Sequence, residues 1–137
     1  MRTLIVVLFC GLILAGQTVP AKTDTATIHL YRPKAKIKGI ALRPSIYCDG
    51  MELYRMPQGT FFDAKIPVGK HIITAGRSEV GQFVDLEAGK DYYFMLGRRN
   101  MLVVAVSNAQ PMTLNPVSED QAKTEMKGLK QLTDLKQ

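Results

Sequence analysis

The chain has 137 residues, with 18 basic against 12 acidic side chains and two cysteines, for a formal net charge of +6. That length suits one domain with one core. The mild basic excess permits contact with anionic surfaces but points to no nucleic-acid partner, and two cysteines are too few for a disulfide-stapled scaffold.

Arg2 gives a positive start, and Leu4 to Ala15 form an unbroken apolar stretch. Val19-Pro20-Ala21 places small residues at −3 and −1 of a cleavage site, so residues 1–21 read as a secretory signal peptide and Lys22 begins the exported chain. A dozen or so apolar residues are too few to span a ~30 Å bilayer as a helix; an uncleaved anchor is the alternative. A lipid-attachment signal is disfavoured, since Gln17 follows Leu14-Ala15-Gly16 and bulky Phe9 precedes Cys10. Export would remove Cys10 and leave Cys48, expected as a small buried hydrophobe.

Beyond the signal, period-two alternation is broken at short intervals by turn residues. Ala26 to Arg32 alternates Ile28 and Leu30 with Thr27, His29 and Tyr31, a half-buried strand. Pro33 to Pro44 is basic and proline-bounded, a loop or irregular edge. Ile46-Tyr47-Cys48 and Met51 to Tyr54 flank Asp49-Gly50, a pair suited to a type I′ hairpin. Strands follow at Thr60 to Ile66, His71 to Ala75, Gln82 to Leu86 and Asp91 to Leu96. Pro67-Val68-Gly69, Gly76 and Ala88-Gly89-Lys90 separate them. Met101 to Val106 is apolar on both faces, as in a doubly covered strand.

After Pro111 and Pro116, Ser118-Glu119-Asp120-Gln121 has the form of a capping box. Ala122, Met126, Leu129, Leu132 and Leu135 recur at helical spacing, which predicts an amphipathic helix to Lys136, with a frayed tail as the alternative. The expected fold is mainly β: a small antiparallel β-sandwich of seven to eight strands with a C-terminal amphipathic helix. The expected layout is 1–21 signal peptide, 22–110 β-sandwich domain and 111–137 helix or tail.

Catalytic motifs are absent. Gly69-Lys70 lacks the other residues of a phosphate loop, with Ala64 and His71 in their places. Gly76 to Val80 lacks the second glycine of a nucleophile elbow. His29, His71 and Cys48 have no metal-ligand spacing, and Asp63, Asp85 and Asp91 read as turn-side carboxylates. No catalytic, cofactor or metal residues are therefore expected, and no cofactor. Two surface features remain. Arg32, Lys34, Lys36 and Lys38, with Arg43, would form a basic stripe on an extended backbone, touching an anionic surface or merely blocking edge-to-edge pairing. Among the tyrosines, Tyr54 and Tyr92 are candidate aromatic contacts, against ordinary packing at the rim of the core.

The order of these pieces is Tyr31-Arg32-Pro33, Ile46 to Gly50, the Pro67 to His71 turn, then Leu86 to Phe94 (LEAGKDYYF). Over residues 26–106 this resembles the domain of unknown function 2846 family of exported bacterial proteins and, more distantly, PEGA-type surface domains. The resemblance implies a compact β-sandwich of the bacterial envelope with no assigned activity. The expected function is a non-enzymatic accessory or binding module, exported to the periplasm or envelope, engaging an envelope protein or a glycan through a sheet face. A weak anionic membrane contact is a further possibility. The alternative is a small-ligand-binding or hydrolytic protein acting on envelope material, which would show two carboxylates, or His29 with His71, converging in a cleft.

Overall fold

The computed structural model describes residues 24–34, 43–76, 81–98 and 112–133. The expected signal peptide and the Met101 to Val106 strand lie outside them. Two sheets face each other. The first has strand order β8-β7-β1-β4-β9, where β1 is Thr25–Arg32, β4 Thr60–Pro67, β7 Asp91–Arg98, β8 Met112–Pro116 and β9 Lys130–Gln131. The second has order β3-β2-β5-β6, where β2 is Ser45–Cys48, β3 Met51–Arg55, β5 Gly69–Ala75 and β6 Gln82–Leu86. No helix among the described residues is long and apolar enough to cross a membrane.

Alternation builds the core. Ala26, Ile28 and Leu30 of β1 point inward beside Phe62, Ala64 and Ile66 of β4 and Phe94 and Leu96 of β7. Ile46, Cys48, Ile73, Ala75 and Leu86 meet them from the second sheet, with Val84 packed against the cluster. At Asp49-Gly50 both residues take positive φ, 50° and 81°, as the tight hairpin turn requires.

Three features depart from expectation. The sandwich is mixed, because β1 pairs antiparallel with β4 but parallel with β7, and β9 runs parallel to β4. A strand not expected from sequence, β8, ends on Pro116 at the edge of the first sheet, where a missing N–H costs no ladder bond. The helix, α1, is Glu119–Met126 rather than a run to Lys136. Ser118 caps it, its hydroxyl accepting the Gln121 N–H at 3.3 Å. Gly128, at φ +79°, then turns the chain away. Leu132 packs on the core from beyond β9, so the apolar stripe is not the face of a single helix.

α1 lies over the outer face of the first sheet, against β7. Ala122 is fully buried, and so is Tyr31, although it alternates with the core-facing Leu30. The described residues thus stack in three layers: sheet, sheet and the short helix α1.

Candidate functional site

The cross-strand register assembles a polar ladder on the helix-covered face of the first sheet. His29 in β1 sits opposite Asp63 in β4 and beside Tyr93 in β7. Its Nδ1 is 2.6 Å from Asp63 Oδ1, and its Nε2 is 3.3 Å from Asp91 Oδ1. The ring stacks on Tyr93 with centroids 4.6 Å apart. Gln131 of β9 donates to the other Asp63 oxygen at 3.2 Å. Tyr93 also hydrogen-bonds Glu119 of α1, which pairs with Lys123; burial first, then the Glu119 charge, raises the phenol above its ordinary range. Asp63 is therefore a mid-strand partner rather than a turn-side carboxylate. His29 and His71 do not meet: His29 lies on the outer face of the first sheet, held by Asp63 and Asp91, whereas His71 is bonded to Asp49 and the Pro67 carbonyl at the end of the second.

A second cluster lies at the end of the other sheet. Asp49, in the β2–β3 turn, accepts the Ile72 N–H at Oδ1 (2.9 Å) and faces His71 Nδ1 at Oδ2 (2.6 Å). The Ile72 N–H, then the His71 contact, hold the Asp49 carboxyl below the usual carboxylate range. The Asp49 bond in turn raises His71, against the opposing effect of its burial. His71 Nε2 donates to the Pro67 carbonyl at 2.8 Å. Cys48, 5% exposed, has its thiol pushed up to about 11 by burial and then by the neighbouring Asp49 charge. One ligand atom from each of Cys48, Asp49 and His71 falls within 4.8 Å of the others. Sequence spacing hid this trio, because β2 must pair with β5 to bring His71 to the turn. The arrangement is not that of a thiol nucleophile, which needs a lowered thiol pKa and a base directed at the sulfur. Here both His71 nitrogens are engaged elsewhere.

The outer face of the second sheet is apolar in part. Phe83 is 77% exposed on edge strand β6, and its register partner Ile72 lies beside it on β5.

The expected surface residues divide. Arg32 is buried rather than part of a basic stripe: it ends β1 inside the sheet, and its Nη1 donates to the Met56 carbonyl at 2.8 Å. Lys34 and Arg43 are exposed, whereas Lys36 and Lys38 lie outside the described residues. Tyr54 stacks on Phe62 at 5.5 Å and packs against the core. Tyr92 also packs there, its hydroxyl accepting the Glu87 N–H and donating to the Asp85 carbonyl.

No curated protein and no solved structure matches the chain. A family model does match residues 22–109, a span that holds His29, Asp63, Asp91, the Cys48-Asp49-His71 trio and Phe83 but not α1 or β9. By that match the chain belongs to the family described as protein of unknown function (DUF2846).

Proposed function

We propose that the protein is an exported, non-enzymatic binding module of the bacterial cell envelope, engaging a protein partner through the outer face of its second sheet. The observation that carries this reading is Phe83, a large apolar side chain held open on a regular strand beside Ile72. A phenylalanine left in water forfeits roughly 1.5–3 kcal/mol of burial, which a partner's apolar surface restores on binding. A protein suits this patch better than a glycan, because Phe83 and Ile72 bring no hydroxyl or amide to meet sugar hydroxyls. Export is supported by the apolar run from Leu4 to Ala15 and by the family match, which starts at Lys22, the residue after the expected cleavage point.

The test is photo-crosslinking in intact cells, with a photoreactive residue at position 83 or at exposed Lys65 on the opposite sheet. The expected result is a discrete adduct at 83, absent at 65 and weakened by Ile72→Ala, with Lys22 as the N-terminus by mass spectrometry. Equal labelling at both positions, or none, overturns the reading.

A second reading has its own observation: Asp63 and Asp91 converge on His29. It casts the helix-covered face as a small-ligand or hydrolytic site for envelope material. It requires peptidoglycan fragments to bind or turn over, with loss in Asp91→Asn.

A further inference from the structure

We propose that Cys48, Asp49 and His71 form a binding site for a single divalent ion of the zinc type. Stripped of two protons, these side chains are a thiolate, a carboxylate and an imidazole nitrogen, the donor set that zinc prefers. Magnesium and calcium, which want oxygen alone, are excluded by the sulfur. The three ligand atoms already lie within 4.8 Å of one another.

The independent observation is on the far side of the histidine ring. Metal-bound histidines almost always donate their other N–H to a carboxylate or backbone carbonyl, which fixes the tautomer and aims the ligating nitrogen. His71 does this: Nε2 donates to the Pro67 carbonyl at 2.8 Å, leaving Nδ1 directed at Asp49.

The site also stands on firm supports. Asp49 and Ile72 exchange two bonds, Ile72 N–H to Oδ1 at 2.9 Å and Asp49 N–H to the Ile72 carbonyl at 3.0 Å. Oδ1 thus keeps its partner while Oδ2 turns to the ion. Tetrahedral ligands at about 2.0–2.1 Å lie roughly 3.3 Å apart, so the 2.6 Å contact between His71 Nδ1 and Asp49 Oδ2 must widen by somewhat under 1 Å. Asp49 is exposed and can rotate to do so. Cys48 is buried below, so the ion enters from the turn and keeps a water as its fourth ligand. Binding forms metal–sulfur, metal–nitrogen and metal–oxygen bonds and releases the Cys48 thiol proton and the His71 Nδ1 proton to the buffer.

The test uses the full chain with cobalt and zinc as probes. One equivalent of cobalt is expected to give an intense sulfur-to-cobalt charge-transfer band, kept in Cys10→Ser and lost in Cys48→Ser. His71→Ala removes a ligand and should weaken zinc binding by at least the roughly hundredfold that losing a ligand's outer hydrogen-bond partner can cost, while His29→Ala leaves it unchanged. X-ray absorption at the zinc edge reads the unaltered chain, so the result does not depend on any variant folding. It should show one sulfur at about 2.3 Å among lighter atoms at about 2.0–2.1 Å. A shell of light atoms alone, a cobalt complex without the band, or no binding of either ion overturns the proposal.

Discussion

Tyr31 follows Leu30 in β1 and so points away from the sandwich interior, yet none of its surface is exposed. α1 lies over it, and its hydroxyl donates to Glu125 Oε2 at 2.7 Å. Burial first, then the hydrogen bond and charge of Glu125, raise its pKa well above the usual tyrosine range. An acid whose neutral form is favoured by folding binds its proton more tightly in the native state. Its contribution to stability is whole below the unfolded value of about 10 and fades as the pH climbs above it toward the raised native value. Tyr31→Phe should therefore cost about 1 kcal/mol near neutral pH, and that deficit should shrink or reverse by about pH 11. Urea unfolding of both forms across that range checks this. At this scale the sequence was partly readable. The turn at Asp49 was legible, because Asp-Gly between two alternating runs needs positive φ at both residues. The burial of Arg32 was not, because the Met56 carbonyl that receives it comes from a segment 24 residues further along. His29 is likewise 34 positions from Asp63 and 62 from Asp91, distances over which only strand pairing sets neighbours.

Among the elements, α1 shows what periodicity can and cannot fix. Its start was legible, since a hydroxyl followed three residues later by Gln caps the first turn. Its end is not legible from spacing, because leucines continue at helical spacing past Gly128. That glycine takes φ +79°, and a Cβ built there meets nothing within 4 Å. The cost of a side chain at this position is therefore backbone strain alone, roughly 1–2 kcal/mol. Gly128→Ala should lower stability by that amount, and Gly128→Asn by less, because Asn tolerates this conformation; thermal melts of the three proteins decide it. After the turn, Lys130 N–H donates to the Gly59 carbonyl and Leu132 N–H to the Phe61 carbonyl, so the segment joins β4 as a strand. β8 is hard to read for a related reason: prolines at 111 and 116 suggest a loop, and only an edge position admits Pro116 to a strand.

For the molecule as a whole, the two-sheet plan was readable because alternating runs every 8–12 residues leave few other ways to bury one face. The order of strands within the sheets was not, since alternation says which face is dry but not which neighbour is adjacent. That order has a consequence for assembly. The hairpin of β2 and β3 and the pair β5 and β6 join close stretches of chain, whereas β1, the centre of its sheet, sits between β4 and a parallel β7. Closing such long loops costs entropy before any contact repays it, so β1 should be locked in last among the described strands. Pulse-labelled hydrogen exchange during refolding should find amides of β2, β3, β5 and β6 protected ahead of those in β1. Until then Ile28 and Leu30 stand unsheltered, which makes β1 a stretch on which a chaperone's grip would tell.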